Sequence, residues 1–308
     1  MPTTCFRPTC NNDLHLGSIW NAFQNWRLAM ATDGRFVMIV DDLCHSFQIG
    51  WRGGWDPEEM LPRYLQDLEW FGLVPDEVHF SSENAERHAW AAEKLGYRAY
   101  PKVGSQPYWA NTRKMVWDPD NLGDRPTPEL ADAEGPIDAL GVAWHPYYMT
   151  CCLVDDHDFG ITAWVAGRDL MPMWAWCLDG YARLGFAPPD IFWHRCLKLS
   201  MAAEKISKTS ATQRTVRNYR AAGYEPDRIL ETIAECNVRS WIAGHEYIII
   251  PKNVLTLDGG KPRYLRWRNR GMEEIIAGQV PPEPPPEQWR VVAKHRARLR
   301  DETRIRIA

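Results

Sequence analysis

Two short segments of the chain carry side chains that could act on phosphate. The first, Leu14-His-Leu-Gly-Ser18, has the pattern of a loop that leads into a helix. A glycine there lets a nucleotide approach the backbone, the helix N terminus attracts phosphate, and the imidazole can donate to phosphate oxygens. The second, Glu204-Lys-Ile-Ser-Lys-Thr209, places two lysines around a serine, which suits a triphosphate. Each segment alone is a weak signal, but in this order and about 190 residues apart they indicate a nucleotide site.

The elements around the first segment alternate between helix and strand. Residues 4–13 are broken by Pro and Asn, and a compact β-branched run at 35–40 ends at Asp41-Asp42. Short apolar strands between helices favour a parallel sheet that is buried on both faces. We expect helices at 14–32, 57–71 and 83–94, and a short strand at 79–80.

The remainder of the chain changes character twice. Residues from about 99 to 140 are rich in Pro, Gly, Asp and Asn and lack periodicity, which favours a loop-rich insertion at the sheet edge. Regular patterns resume at 147–154, and they predict helices at 171–184, 211–222 and 226–234 and a strand at 190–199. The predicted domains are two halves of a catalytic domain at 1–98 and 141–209, the insertion at 99–140, a helical region at 210–280, and a Pro-rich connector with a basic tail at 281–308.

Composition places the chain among globular proteins. It has 308 residues, of which 45% are hydrophobic and 25% charged, and no apolar run reaches the ~18 residues that span a bilayer. The start has no apolar leader pattern, so we expect a cytoplasmic protein without a membrane partner. The eight cysteines include no Cys-x-x-Cys pair, which favours reduced thiols over a zinc site.

Charge is unevenly distributed along the chain. The net charge is −4, and residues 287–308 hold seven basic and three acidic side chains, so the tail carries +4 and the body −8. An acidic body binds nucleic acid poorly in general, because phosphate contacts supply most non-specific affinity. The tail is compatible with RNA contact, and equally with a solvated helix face.

The two phosphate segments resemble the signatures of class I aminoacyl-tRNA synthetases. His15-Leu-Gly-Ser18 is similar to the HIGH motif and Lys205-Ile-Ser-Lys-Thr209 to the KMSKS motif. Val154-Asp-Asp-His-Asp-Phe-Gly-Ile-Thr162, followed by Gly167-Arg-Asp-Leu170, resembles a segment of the glutamyl/glutaminyl branch. The resemblance runs from about residue 5 to 243. In size the chain is similar to the stand-alone glutamyl-queuosine tRNA(Asp) synthetases, but it lacks their Cys-x-Cys zinc site.

The resemblance implies a fold and a reaction. The fold is a Rossmann-like (HUP-type) α/β parallel sheet with an insertion subdomain, followed by a helical stem-contact region. In the reaction, an amino acid attacks ATP, with Mg²⁺ as cofactor, to give an aminoacyl-adenylate and pyrophosphate, and the acyl group passes to a tRNA acceptor end or another small acceptor. We expect a monomer.

The resemblance also implies roles for individual residues. The catalytic residues are His15, Lys205 and Lys208. ATP is bound by these three together with Thr9, Gly17, Ser18, Asp169 and Ser207. The ammonium and carboxylate of the amino acid are bound by Thr9, Asp41 and Tyr148, and its side chain meets the aligned pocket positions Cys5, Cys152 and Ala166. Arg7 and Arg168 join the amino-acid site through the displaced anion site described below, and no metal-ligating residue is assigned.

The chain departs from the glutamate-specific pattern in the side-chain pocket. Two arginines that hold the substrate's γ-carboxylate in those relatives align with Cys5 and Ala166, and a neutral polar position aligns with Cys152. We favour a pocket for a neutral side chain. In the alternative, Arg7 and Arg168, each two residues further on, rebuild an anion site displaced by about 6–7 Å along the strand.

Two other functional classes remain open. A catalytically inert relative could bind RNA or regulate, although such a protein need not keep His15, Lys205 and Lys208. A nucleotidylyltransferase of the same superfold would share a histidine signature and a lysine loop, but it would lack the helices expected at 211–234.

Overall fold

A computed structural model of the chain describes residues 1–10, 12–42, 57–95, 97–103, 106–111, 113–116, 129–132, 146–198 and 214–265, with the backbone alone for 97–149 and for 172, 173, 175 and 176. The described residues form two compact units. The first comprises those of Met1–Leu14, Asn21–Tyr64 and Pro75–His194, and the second comprises His15–Trp20, Leu65–Val74 and those from Arg195 onward.

Strands and helices have the following bounds. The strands are β1 (Thr3–Phe6), β2 (Arg35–Val40), β3 (Glu77–Phe80), β4 (Tyr97–Val103), β5 (Gln106–Asn111), β6 (Arg113–Val116), β7 (Glu129–Asp132), β8 (Ala163–Gly167), β9 (Asp190–His194), β10 (Leu197–Lys198) and β11 (Ile248–Ile249). The helices are α1 (Leu16–Ala31), α2 (Pro57–Trp70), α3 (Ala85–Lys94), α4 (Pro146–Asp158), α5 (Met171–Leu184), α6 (Val216–Ala221) and α7 (Pro226–Ile242). Short 3-10 segments occur at Ser81–Asn84 and Arg168–Leu170.

A five-stranded sheet, in the order β3-β2-β1-β8-β9, forms the centre of the first unit. All of its neighbouring strands are parallel. The apolar run of β2 is buried from Phe36 to Val40, as expected for a strand covered on both faces. The predicted α/β class with a parallel sheet is therefore confirmed.

Two clusters of buried side chains hold this unit together. Cys5, Val37 and Ile39 pack with Ile161 on one face of the sheet, with Phe159 and Trp164 against them. The helices α3, α4 and α5 pack on one another through a second cluster, whose buried members are Ala91, Ala92, Leu95, Cys151, Leu153, Val154, Cys177, Tyr181 and Leu184.

A left-handed turn joins α4 to β8. Gly160 has φ 69°, a conformation that strains residues with a side chain. This turn lets the Ile161 N–H donate to the Asp156 carbonyl at 2.7 Å, and the Thr162 N–H donate to the Thr3 carbonyl at 3.0 Å. The glycine of the Gly-Ile-Thr segment thus ends the helix and brings the chain into the sheet.

Several bounds differ from the sequence expectations. The strand β1 begins one residue before the stretch at 4–13 that Pro and Asn break and ends within it, and no strand was expected at β8. The segment expected to be loop-rich contains two antiparallel pairs, β4–β5 and β6–β7. The strand expected at 190–199 is divided into β9 and β10, and α7 extends to Ile242. The predicted domain boundaries remain predictions.

The second unit is built around α6, α7 and the parallel pair β10–β11. Tyr219 donates to the Leu255 carbonyl at 2.9 Å, and Tyr224 donates to the Thr256 carbonyl at 2.7 Å. These two rings stack edge to face, so the chain after β11 is fixed against α6. In the part of the chain that the structure describes, no helix combines the length and apolarity needed to cross a membrane.

Candidate functional site

Several of the residues assigned to amino-acid binding lie at the carboxyl edge of the five-stranded sheet. Because all its strands are parallel, the residues that follow them lie along one edge: Arg7 after β1, Asp41 after β2, and Arg168 after β8. The strand order reverses at β1, between β2 and β8, and open α/β sheets bind ligands at such a point. The sheet therefore places these residues where a ligand is expected.

Asparagine side chains complete the join between β1 and β8. These strands pair at one position, Thr4 with Ala163. Beyond it, the fully buried Asn25 amide donates to the Val165 carbonyl at 2.8 Å and accepts from the Val165 N–H at 2.9 Å. Asn21 donates to the same carbonyl at 2.9 Å. Helix α1 thus bonds to the β8 backbone through side chains, a feature that the sequence did not suggest.

Thr9 and Asp41 lie next to each other, as their shared assignment requires. They form a parallel β-bridge, in which the Asp41 N–H donates to the Pro8 carbonyl at 2.9 Å and the Cys10 N–H donates to the Asp41 carbonyl at 3.2 Å. The Asp41 side chain belongs to a residue that is only 1% exposed. The loop after β1 therefore holds the backbone of Asp41, an acid assigned to amino-acid binding.

Arg7 is bound by two carboxylates of helix α4. Its Nη1 donates to Asp155 Oδ2 at 2.9 Å, and its Nη2 donates to Asp156 Oδ1 at 2.7 Å. The three side chains are between 0% and 8% exposed. Such charge-assisted bonds are the strong kind, and burial protects them from screening by salt. The Arg7 guanidinium is therefore an internal ion-pair partner in this structure.

The two acids differ in how many other groups hold them. Asp155 also accepts from Ser81 Oγ at 2.6 Å and Asn84 Nδ2 at 3.1 Å, and its Oδ1 lies 2.7 Å from the fully buried His88 Nε2. Asp156 also accepts from Tyr181 OH at 2.7 Å. Asp155 is thus the more completely satisfied carboxylate.

Burial and these partners shift the pKa values of the two acids in opposite directions. Burial alone would raise the pKa of Asp155, but the His88 hydrogen bond and the charge of Arg7 lower it below its ordinary value. Burial raises the pKa of Asp156, because Arg7 and Tyr181 only partly offset the cost of desolvation. Asp155 is therefore the firmly ionised partner of Arg7.

Cys5 and Cys152, assigned to the pocket, lie close enough to Arg7 for its positive charge to lower their pKa values. Burial raises the pKa of the Cys5 thiol to about 12, and Arg7 opposes the shift. Burial also raises the pKa of Cys152 well above its ordinary value, again against Arg7. Both side chains are therefore neutral thiols near pH 7. The structure thus brings Cys5, Arg7 and Cys152 together.

Ala166 lies in an aromatic setting on β8. It pairs with Trp193 of β9 and is 1% exposed. Paired residues on parallel strands face the same side of a sheet, so Ala166 and Trp193 share a face. Trp174 contacts Trp193 edge to face, with ring centroids 6.4 Å apart. Arg168 follows β8 and is exposed, unlike Arg7, and Asp169 beside it is partly exposed.

His15, in the second unit, immediately precedes α1. Its carbonyl accepts from the Ile19 N–H at 3.0 Å, and its ring Nδ1 accepts from the Ser18 N–H at 3.1 Å. The ring therefore caps the first turn of the helix, in the way that Ser or Asp caps do elsewhere. Because Nδ1 accepts a hydrogen bond, the neutral ring carries its proton on Nε2. Gly17 and Ser18 both lie in this first turn.

Other assigned residues lie outside what the structure describes. Lys205, Ser207 and Lys208 are outside the described residues, and for Tyr148 the description stops at the backbone.

Sequence reasoning missed the partners of Arg7. Asp155 and Asp156 were part of the matched motif but had no assigned role. A signal was present, because two adjacent acids follow the apolar run 151–154 and buried acids need a cation.

Comparisons with known proteins support the resemblance that the motifs indicate. No family model matches the chain. The glutamate–tRNA ligase 2 of Ruegeria sp. (strain TM1040) is 26% identical over 283 residues, covering 76% of this chain and 60% of that protein. The glutamate–tRNA ligase 2 of Cereibacter sphaeroides (strain ATCC 17029) is 28% identical, covering 75% of this chain and 60% of that protein. The chain thus spans about three-fifths of the length of these curated relatives.

A solved structure has the same fold. The crystal structure of glutamate-tRNA synthetase from Elizabethkingia anophelis matches with a TM-score of 0.52 at 16% identity, covering 100% of this chain and 75% of that chain. At this identity the likeness concerns the fold alone. Together these comparisons confirm the predicted resemblance to class I synthetases of the glutamyl kind.

Proposed function

We propose that this chain, a relative of the glutamate–tRNA ligases, is an ATP-dependent ligase that activates an amino acid as its aminoacyl-adenylate. The observation that carries the proposal is the state of His15. Its Nδ1 accepts from the Ser18 N–H at 3.1 Å, so the neutral ring carries its proton on Nε2, the nitrogen that would donate to a phosphate oxygen. A histidine cap in this tautomer, at a helix N terminus, suits the binding of a nucleotide phosphate.

The reaction requires little covalent chemistry from the protein. The amino acid's α-carboxylate oxygen forms a bond to the α-phosphorus of ATP, and the bond from that phosphorus to the bridging oxygen breaks, releasing pyrophosphate. Positioning and charge stabilisation therefore dominate. His15 Nε2–H, Lys208 and Lys205 would stabilise the negative charge that develops on the phosphates, with Ser18 and Ser207 as further donors.

Mg²⁺ would be bound chiefly through the nucleotide. Among the described residues, no three His, Cys, Asp or Glu side chains are grouped to hold a metal ion. Mg²⁺ commonly binds through substrate phosphates and water, with only one or two carboxylates from the protein. The described part of the chain therefore fits an ion that enters with ATP. The ion would neutralise phosphate charge.

Asp41, Thr9 and Tyr148 would bind the ammonium and carboxylate groups of the amino acid, and Asp169 would lie toward the nucleotide. The fixed bridge between Thr9 and Asp41 supports this role for the pair. A buried carboxylate whose backbone the bridge holds in place suits the positive charge of an ammonium group.

The surroundings of Arg7 favour an uncharged side chain in the substrate. Cys5, Cys152 and Ala166 are small, buried and neutral. In the displaced-anion-site alternative, Arg7 would bind the substrate's carboxylate, but two internal carboxylates already pair with it. Arg168 is exposed. It would have to bind the substrate's carboxylate without Arg7, or else bind the nucleotide.

The acceptor of the activated group remains a prediction, whether a tRNA acceptor end or another amine or hydroxyl. A monomeric state and a cytoplasmic location are likewise predictions. The second candidate function, an inert relative that binds RNA, has the basic segment 287–308 as its supporting observation.

ATP–pyrophosphate exchange with Lys208→Ala tests the proposal. The charge of Lys208 would act mainly in the transition state, so kcat should fall by roughly two to three orders of magnitude. Lys94→Ala is the matched control, because Lys94 lies on α3 with its Nζ 5.0 Å from the Trp90 ring centroid, and its exchange should equal wild type. Unchanged exchange in Lys208→Ala would reject the assignment, and no exchange in wild type would favour the inert relative.

A further inference from the structure

The pair of acids on helix α4 has a consequence for substrate choice. Arg7 carries one positive charge, and Asp155 and Asp156 face it with two carboxylates at 2.9 Å and 2.7 Å. A guanidinium matches the geometry of a carboxylate, so proteins often use it to bind a carboxylate of a ligand. Here the chain supplies that carboxylate itself, from a position 148 and 149 residues away in sequence.

We propose that Asp156, together with Asp155, is an internal counter-ion of Arg7 that excludes acidic side chains and so restricts the substrate to amino acids with an uncharged side chain. This inference rests on the proposed function. A glutamate carboxylate near Arg7 would be the third negative charge around one cation. The substrate carboxylate and the two acids would carry like charges, which repel strongly in a low-dielectric site. Selectivity often comes from a repulsive element of this kind.

Asp156 is the residue that decides the charge balance. Asp155 is fixed by Ser81, Asn84 and His88 in addition to Arg7. Asp156 has Tyr181 as its other hydrogen-bond donor. With both acids ionised, Arg7, Asp155 and Asp156 together carry one net negative charge, and without the charge of Asp156 these three side chains are neutral as a set.

Asp156→Asn is the matched perturbation, because it keeps the shape of the side chain and removes its charge. The amide oxygen can still accept from Arg7 Nη2, which lies 2.7 Å from Asp156 Oδ1, and the amide nitrogen can donate to the Tyr181 hydroxyl oxygen. The fold should therefore tolerate the change. Arg7 then has a single carboxylate partner, and a substrate carboxylate meets a neutral group.

The experiment compares glutamate with glutamine, which has the same length and no charge. ATP–pyrophosphate exchange gives the ratio of kcat/KM for glutamate over glutamine, and calorimetric binding gives the ratio of their association constants. Asp156→Asn should raise both ratios about tenfold or more, since a tenfold change corresponds to about 1.4 kcal/mol. Combining it with Arg7→Ala should return the ratios to the wild-type values.

Tyr181→Phe is the control, because it removes the other hydrogen bond to Asp156 and keeps the charge. Its ratios should stay within twofold of wild type. Thermal unfolding of each variant verifies that it is folded. A folded Asp156→Asn with unchanged ratios overturns the inference and leaves the proposed function intact. Wild type that binds glutamine but shows no exchange with any standard amino acid rejects the proposed function, while the binding ratios still decide the inference. Binding of neither glutamate nor glutamine in any variant overturns the inference and leaves the proposed function to be decided by exchange with the other amino acids.

Discussion

Asp155→Asn should destabilise the first unit strongly. Asp155 is fully buried and has four partners, Arg7, Ser81, Asn84 and His88. In asparagine one carboxylate oxygen becomes an NH₂ group, which cannot accept. If that group faces His88, the imidazole can change tautomer and accept, but the Asn84 amide is left facing another donor. If it faces Ser81, the hydroxyl can accept, but Arg7 Nη1 is left facing a donor.

The magnitude follows from the loss of a buried charge. Removing one partner of a buried ion pair typically costs about 3–5 kcal/mol. Asp156 still balances Arg7, so we expect the lower end, about 3 kcal/mol. Domains unfold with about 5–15 kcal/mol, so the loss is a large fraction of the total. Urea unfolding at pH 7, followed by tryptophan fluorescence, measures it as a lower midpoint at unchanged slope.

Asp158→Asn is the control for this measurement. Asp158 is on the same helix and accepts from Arg87 at 3.0 Å and 3.2 Å, but the two side chains are 21% and 42% exposed. Exposed pairs contribute about 0–1 kcal/mol, so this variant should unfold close to wild type. If Asp155→Asn loses no more than Asp158→Asn, the reasoning about the buried network is wrong.

Two further outcomes follow from the charges of the chain. Because the pKa of Asp155 is lowered below its ordinary 3.8, its ionised form stabilises the fold above that pH, and this stabilisation is lost as the pH falls through the pKa of the folded state. The difference in unfolding free energy between wild type and Asp155→Asn should therefore close below about pH 4. Urea titrations at successive pH values measure this difference. Deleting residues 287–308 should weaken binding of tRNA and flatten its dependence on salt, while leaving adenylate formation intact; equal affinity and salt slope would reject a role for the tail.

The strands and helices that the sequence predicted well are those with an unambiguous pattern. The bounds of β2 and α5 agree with prediction, because β2 is a continuous apolar run and α5 a long apolar helix that a glycine ends. β1 and β8 are short, and the prolines on either side of β1 and the small residues of β8 obscure the strand pattern. Their place in the sheet depends on pairing between residues distant in sequence, which local patterns do not reveal.

The residues of the candidate site were likewise predicted where the signal is local in sequence and missed where it is not. The motifs identified the segments that carry His15, Asp41 and Arg7, since each is read from neighbours in sequence. The contacts of Arg7 were not predictable, because its partners are 148 and 149 residues further along the chain. Those contacts show that Arg7 is an internal ion-pair partner, and its assignment to amino-acid binding stays a prediction.

The central claim, that the chain activates an uncharged amino acid with ATP, is tested most directly by ATP–pyrophosphate exchange of the wild-type protein with each standard amino acid in turn. We predict exchange with at least one uncharged amino acid, and kcat/KM for glutamate at least about a hundredfold lower, which corresponds to about 3 kcal/mol of lost carboxylate binding. A clear preference for glutamate, or exchange with no amino acid, would contradict the account.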